Sequence, residues 1–277
     1  MKLQQLKPAK QTPLTALYLC KFIKEIFPAG VVNILPGFGV GAGQPMVEHP
    51  MIEKKVTLEL GGKSPNIVFN DADFVFEKAV KWASFGIFFN HGQCYRAGSR
   101  VRTSRVLKVG DPFDVNTFQG PQVSQLQYDR IMAYIKSGKE EGATCLIGGD
   151  RHGQEGYFIQ PTVFTDVKPS MKIHREEIFG PVVVVMKFVD EEDVIEQAND
   201  TIYGLASAIH SKDITTSLRV SRRIQAGTVW INCYNKIATQ VAFEGVEQSG
   251  LCRECGSYAL SNYTFIKSIF INLSQKL

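Results

Sequence analysis

The sequence has no long apolar run and no concentration of charge of one sign. Its 31 basic and 27 acidic residues give a formal net charge of only +4, and the basic residues form no stripe. No segment reaches the roughly 20 apolar residues of a membrane-spanning helix, and the opening MKLQQLKPAKQTP lacks a secretory apolar core. We therefore expect a cytoplasmic protein with no membrane and no nucleic-acid partner.

Cysteine and histidine are too few and too dispersed to indicate a disulfide scaffold or a metal site. Six cysteines are spread over 277 residues, and no two of the five histidines stand four residues apart. Cys252 and Cys255 form a C-x2-C pair, but zinc needs a second pair of ligands and none follows. We expect free thiols and no metal.

The chain instead contains alternating helix and strand patterns, which favour an α/β fold with mainly parallel strands. A final segment, 264–276, alternates apolar and polar residues as an edge strand does. The apolar spacing predicts helices over 13–26, 74–85, 124–142, 190–199 and 213–225, and strands over 31–37, 56–62, 66–70, 181–188 and 228–234.

The N-terminal part of the sequence contains a helix start and a glycine-rich segment. Thr12-Pro13 is a good helix start, and Leu14, Leu17, Tyr18 and Phe22 form the apolar stripe of the helix that follows. The glycine-rich segment 37–43 is superficially similar to a phosphate-binding turn, but the prolines that follow interrupt the helix that such a turn should open. We interpret the segment as a connecting loop.

Five motifs, in one order, resemble the aldehyde dehydrogenase superfamily, and specifically its NAD(P)-dependent cytosolic and mitochondrial class. They are KPAKQTPL (7–14), VTLELGGKSP (56–65), FNHGQCYRAGSR (89–100), EEIFGPV (176–182) and GTVWINCY (227–234). The resemblance runs from about Lys7 to the C-terminus, and it makes this chain a shortened, divergent copy of the family. It implies a catalytic domain with a parallel-rich sheet (59–258), an incomplete Rossmann-like cofactor domain (1–58) and a terminal oligomerisation segment (259–277).

The resemblance also implies a chemistry, the oxidation of an aldehyde to a carboxylic acid. In this family a cysteine thiolate attacks the aldehyde and a glutamate activates the water that hydrolyses the thioester. Glu59 matches the glutamate, but Tyr95 stands at the nucleophile position. A phenol with an ordinary pKa of about 10 is a poor substitute for a thiolate. Cys94 is the alternative nucleophile, although neighbouring side chains normally point in different directions.

The cofactor that the resemblance implies is NAD or NADP, and its site is incomplete in the sequence. Lys7 matches a lysine that holds the adenosine ribose, while Lys10 replaces an expected acidic residue and favours a 2′-phosphate. Glu177 and Phe179 match the residues that hold the nicotinamide ribose and ring. The element that meets the diphosphate is missing between residues 50 and 56, and a helix is missing after Arg100.

These departures leave three interpretations open. The chain is an impaired aldehyde dehydrogenase acting on a small aldehyde, or a non-catalytic paralogue or subunit that forms homo- or hetero-oligomers through residues 264–276. The third interpretation is that coding segments are missing at Pro50-Met51 and between Arg100 and Arg105, which transcript sequencing would decide. Glu244 and Glu247, which stand where the family has glycine and lysine, indicate relaxed constraint or a changed loop.

Overall fold

A computed structural model describes residues 4–52, 57–74, 76–100, 107–251 and 253–273. The strands are β1 Gln4–Leu6, β2 Val32–Ile34, β3 Leu58–Glu59, β4 Ser64–Val68, β5 Gly98–Arg100, β6 Thr144–Ile147, β7 Thr162–Thr165, β8 Val182–Val184, β9 Tyr203–Gly204, β10 Ala206–His210, β11 Thr228–Ile231, β12 Val246–Glu247 and β13 Gly250–Leu251. The α-helices are α1 Leu14–Ile26, α2 Gln44–Glu48, α3 Phe76–Phe88, α4 Gln125–Glu140, α5 Lys172–Arg175, α6 Glu191–Asn199, α7 Ile214–Ser221 and α8 Leu260–Tyr263.

The described part of the chain forms one large sheet of seven strands in the order β11-β10-β4-β5-β8-β7-β6. Its pairings are parallel except for β6 with β7. This confirms the predicted α/β fold with mainly parallel strands. The predicted domain boundaries at residues 58 and 258 stay predictions.

Helices cover both faces of this sheet, which explains why strand β8 is apolar along its whole length. In β8, Val182 and Val184 pack with Ile135 of α4, whereas Val183 packs with Ile87 of α3 on the opposite face. The strand predicted at 181–188 is therefore present and buried but shorter, at Val182–Val184, and the predicted inward residues of α4 are confirmed. Side chains alternate across a strand, so each face takes every second valine.

Helix starts follow ordinary capping chemistry where an acceptor side chain is available. Asp190 accepts a hydrogen bond from the Asp193 amide at the start of α6, and Asp213 accepts one from the Thr215 amide at the start of α7. The predicted helix at 74–85 lies at Phe76–Phe88, and Val75, one of its predicted apolar positions, lies outside the described residues.

The N-terminal unit departs from the prediction in its packing. Helix α1 forms as predicted, but its N-cap is Pro13 rather than Thr12, with no side-chain cap, and none of its residues is buried. Leu14 remains 77% exposed and Phe22 49%. The predicted stripe therefore has no core to face, because β1 and β2 pair only with each other within the described residues and leave it uncovered.

Three further segments differ from expectation. Residues Gly39–Gly43 form a short π-helix that leads into α2 rather than an open connecting loop. The strand predicted at 228–234 is shorter, and it lies at the sheet edge with only Trp230 buried. Residues 264–273 are exposed and do not form the predicted strand, while 274–276 lie outside the described residues.

Candidate active site

The motif residues meet at the amino ends of neighbouring strands. The segment Glu59–Gly62 leads into β4, Cys94 and Tyr95 precede β5, and Glu177–Phe179 precede β8. Because β4, β5 and β8 are parallel, their amino ends lie at one edge of the sheet. Ligands of open α/β sheets usually bind at the carboxyl ends of the strands. This site therefore lies at the opposite ends of the strands from the usual position.

A tight turn before β5 sets the position of Cys94 and Tyr95. Asn90, His91 and Gly92 have φ values of 51°, 59° and 70°. The turn is held by the Gly120 amide, which donates to Nδ1 of His91 at 3.0 Å. A Cβ on Gly92 would lie 2.0 Å from the carbonyl oxygen of Gly180, so only glycine fits there. The turn therefore presses against the segment that contains Phe179.

The glycines of the LELGG segment bring the three parts of the site together. A Cβ on Gly62 would lie 2.1 Å from the carbonyl oxygen of Tyr95. The Gly62 amide donates to Oε1 of Glu177 at 3.1 Å. Gly62 is thus the point where the backbone of the base segment contacts both the Tyr95 segment and Glu177.

Tyr95 is half-buried and forms a hydrogen bond with the exposed side chain of Glu59. Burial, followed by the negative charge of Glu59, holds the pKa of the Tyr95 phenol well above its usual range. Its ring meets Phe243 edge to face, with 6.2 Å between ring centroids. A neutral phenol held in this way is a hydrogen-bond donor to Glu59 and not a nucleophile.

Cys94 lies on a different side of the same turn. Its side chain packs in the core cluster that contains Ile87 and Ala97, and it lines a cleft with Glu177 and Phe179. Tyr95 instead packs in the cluster that contains Phe243. The two adjacent side chains therefore face different groups, Cys94 towards Glu177 and Tyr95 towards Glu59.

Glu177 and Phe179 are held in a strained turn by helix α4. Phe179 has a φ of 57°, and its carbonyl oxygen accepts from Nε2 of Gln127 at 2.7 Å. Nη2 of Arg130 donates to the Glu177 carbonyl at 3.0 Å. Burial raises the pKa of the Glu177 carboxyl, while the Gly62 amide and the charges of Arg130 and Lys63 oppose that shift. The carboxylate therefore stands at the cleft as a partly buried acceptor.

Lys7 and Lys10 lie against the segment that connects β2 to α2. Nζ of Lys7 donates to the Pro8 carbonyl at 2.7 Å, and a Cβ on Gly43 would lie 3.3 Å from its Cδ. Nζ of Lys10 lies 5.6 Å from the centre of the Phe38 ring. Helix α2 has only five residues, which leaves little N-terminal dipole for a diphosphate. The described residues therefore fit the ring and ribose end of a nicotinamide cofactor better than its diphosphate.

Two glutamates beside Glu59 were not among the predicted site residues. Glu254 forms a hydrogen bond with Glu59, and burial together with that neighbour raises the pKa of Glu254. Glu244 is fully buried, and burial raises its pKa to about 7. The sequence indicates that Glu244 is unusual, because glycine is expected there, but no sequence signal places Glu254 beside Glu59.

Metal and membrane features are absent from the part of the chain that the structure describes. No group of three histidine, cysteine, aspartate or glutamate side chains is arranged there to hold a metal ion. Cys252 of the C-x2-C pair lies outside the described residues. Among the described helices, none is long and apolar enough to cross a membrane.

Comparison with known proteins agrees with the family resemblance of the motifs that form this site. The aldehyde dehydrogenase family matches residues 5–55 and 51–269. An aldehyde dehydrogenase of Emericella nidulans is 54% identical over 98% of this chain, and a mitochondrial one of Equus caballus is 46% identical over the same share. An NAD+ complex of an aldehyde dehydrogenase from Bacillus cereus superposes with a TM-score of 0.92 at 46% identity, covering 98% of this chain. The chain belongs to the aldehyde dehydrogenase family.

The same comparisons show how much of its relatives' length this chain covers. The chain covers 62% of the Emericella and Equus proteins and 63% of the Bacillus structure. The Emericella alignment runs over 311 positions, whereas 98% of 277 residues is about 271, so about 40 of those positions face no residue here. The family match also restarts at residue 51. Internal segments of the relatives are therefore missing, as the sequence indicates between residues 50 and 56.

Proposed function

We propose that this chain is an oxidoreductase of the aldehyde dehydrogenase type whose conversion of an aldehyde to a carboxylic acid with NAD(P)+ is severely impaired. The observation that supports impairment is the neutral Tyr95 phenol, hydrogen-bonded to Glu59 at the position where the family has its thiolate. Without the thiolate, no thioester forms for Glu59 to hydrolyse.

The remaining residues keep recognisable roles in this proposal. Glu59 is the base that would activate water, Glu177 would accept hydrogen bonds from the nicotinamide ribose, and Phe179 would pack against the ring. NAD(P)+, when bound, supplies the hydride acceptor. Lys7 would contact the adenosine ribose, and Lys10 favours NADP over NAD because a lysine suits a 2′-phosphate. Cys94 faces the Glu177 side of the turn and is the only residual candidate for the nucleophile in this proposal.

The nucleophile can be tested apart from the cofactor, because a cysteine with a neighbouring base hydrolyses an activated aryl ester without any hydride acceptor. We expect Tyr95→Cys to raise p-nitrophenyl acetate hydrolysis by about a hundredfold or more over the unmodified chain, since it restores a thiol at the correct position. Cys94→Ala is the matched control and should leave the unmodified chain's rate unchanged. A large loss in Cys94→Ala would instead make Cys94 the nucleophile and overturn the impairment.

Cofactor binding needs its own measurement. A ligand that binds only the folded state at 100 times its dissociation constant adds about 2.7 kcal/mol of stability. Because the diphosphate element is missing, we expect neither NAD+ nor NADP+ to shift the thermal melting midpoint. A clear upward shift would show that the site is intact, and a larger shift with NADP+ would support the Lys10 argument.

A second candidate function is that of an interaction subunit, and the exposed C-terminal segment favours it. Ile266 is 98% exposed and Phe270 is 96% exposed, although both are large apolar residues. An exposed segment of this pattern can add a strand to an exposed sheet edge of another chain. Light scattering after gel filtration, and co-purification with a full-length relative, test this candidate in a cytoplasmic extract. A monomer without partners would refute it.

A further inference from the structure

His91 stands in the middle of the turn before β5, and its side chain reaches from that turn to a second loop. The turn is closed by its own hydrogen bonds. The Gln93 amide donates to the Asn90 carbonyl at 2.9 Å, and Nδ2 of Asn90 donates to the Gln93 carbonyl at 2.9 Å. These two bonds do not tie the turn to the rest of the fold. The 3.0 Å bond from the Gly120 amide to Nδ1 of His91 does.

The donor end of that bond is fixed by the buried loop that contains Gly120. Gly120 is itself buried, so its amide needs an acceptor within the protein. The preceding residue, Gln119, is 0% exposed, and its Nε2 donates to the Ile159 carbonyl at 2.6 Å. The Gln119 carbonyl accepts from the Gly110 amide at 3.1 Å. A donor held in this way determines where the imidazole of His91 can lie.

The bond requires one protonation state of His91. Because Nδ1 accepts from an amide, the ring proton lies on Nε2 and the imidazole is neutral. In the imidazolium form both ring nitrogens are donors. Nδ1 would then face the Gly120 amide as one donor against another, and the bond would be lost.

The surroundings of His91 favour the neutral form. Its ring is half-buried, and burial lowers the pKa of His91 below the usual value of 6.5. Residues 88–95 contain no other charged group. The loop at Gly120 contains Lys108, Asp111 and Asp114, of which Lys108 pairs with Asp114 and Asp111 accepts from an amide of its own loop. Burial is therefore the influence that sets the pKa of His91 among the described residues.

We propose that His91 is a positioning residue, whose neutral Nδ1 holds the turn so that Cys94 faces Glu177 and Tyr95 faces Glu59, and whose protonation releases the turn. The two directed side chains follow His91 by only three and four residues, so a shift of the turn moves both. The part of this inference that concerns turn order stands alone. The part that concerns a nucleophile at position 95 rests on the proposed function.

The first experiment measures hydrogen exchange at the Gly120 amide of the full chain at pH 7.5, with overlapping peptides in mass spectrometry. His91→Gly fits the positive φ but has no acceptor, whereas His91→Asn keeps an acceptor oxygen and tolerates that φ. We expect exchange about tenfold faster in His91→Gly, as the loss of one hydrogen bond implies, and the unmodified rate in His91→Asn. His152→Gly, at an exposed histidine, is the matched control and should change nothing.

The same measurement from pH 7.5 down to pH 5 tests the protonation. After correction for intrinsic exchange rates, the protection of the Gly120 amide should fall with decreasing pH in the unmodified chain and stay constant in His91→Asn. In the Tyr95→Cys background, His91→Gly should lower the kcat of p-nitrophenyl acetate hydrolysis by about ten- to a hundredfold, and His91→Asn should retain it. If Tyr95→Cys alone hydrolyses nothing, the proposed function fails, while the exchange of Gly120 still decides the role of His91.

Three results would overturn the proposal. These are unchanged Gly120 exchange in His91→Gly, equal acceleration in His91→Gly and His91→Asn, or the same acid response in the unmodified chain and His91→Asn. If His91→Gly fails to fold, as judged by its circular dichroism, the comparison of the unmodified chain with His91→Asn across the pH range still decides the question.

Discussion

The buried Glu244 carboxyl should make the stability of the fold depend on pH, in a direction opposite to that of most carboxylates. Its pKa is about 7 in the folded chain, against 4.5 for an ordinary glutamate. Between these values the folded state keeps a proton that the unfolded state has lost. The free energy of unfolding therefore falls as pH rises from about 4.5 to about 7, and levels off above that.

The size of the effect follows from the same difference. Each pKa unit corresponds to about 1.4 kcal/mol, so the full difference would reach about 3.4 kcal/mol. Glu59 and Glu254, whose charges act on Glu244, are exposed to water, and solvent screening lowers the expected contribution of Glu244 to roughly 1–2 kcal/mol. For a chain of this size, that corresponds to a melting shift of about 2–8 °C.

The measurement compares urea unfolding of the unmodified chain and Glu244→Gln at pH 5 and pH 8. The amide keeps the shape of the side chain but cannot ionise. Between pH 5 and pH 8, we expect the free energy of unfolding of Glu244→Gln to fall by roughly 1–2 kcal/mol less than that of the unmodified chain. Glu254, whose pKa is also raised, is present in both proteins. Parallel losses in the two proteins would refute the assignment of the proton to Glu244, and Glu247→Gln is the surface control.

Two further predictions concern the backbone of the site and the C-terminal segment. Gly62→Ala should destabilise the fold by about 1–3 kcal/mol in urea unfolding, because its Cβ would lie 2.1 Å from the Tyr95 carbonyl oxygen. Gly41→Ala, with no atom within 4 Å of its Cβ, should cost little, and equal losses would contradict the close-packing argument. Phe270→Asp should shift any oligomer seen by light scattering towards monomer, and an unchanged mass would exclude this segment from the interface.

The fold was largely predictable because its signals are local and repeated. The valines of 181–188 predict a strand buried on both faces, and α4 and α3 do cover those faces. The stripe of α1 shows where this reasoning fails. Periodicity predicts which side of a helix is apolar, but not whether anything packs there, and α1 has no buried residue.

The site was predictable only where the resemblance supplied a motif. Glu59, Tyr95 and Glu177 come from separate motifs, and the contacts of Gly62 with Tyr95 and Glu177 bring those motifs together. Glu254 reaches Glu59 from nearly 200 residues further along the chain, a contact that no local pattern contains. The direction of the Cys94 side chain likewise depends on the turn at Asn90–Gly92, whose positive φ values require the packing of distant loops.

Residues 95 and 244 both interact with the base Glu59, so the effects of substituting them should not be additive. A thiolate at position 95, and the oxyanion that it generates on a substrate, are both opposed by a nearby carboxylate. Glu244 stands beside Glu59, the group that contacts residue 95, so Glu244→Gly lowers the negative charge there, but only a chain with a nucleophile can benefit. We therefore expect Glu244→Gly to leave ester hydrolysis unchanged beside Tyr95, and to raise it severalfold in the Tyr95→Cys background. An equal gain in both backgrounds would mean that Glu244 acts on folding or access rather than on the charge beside Glu59.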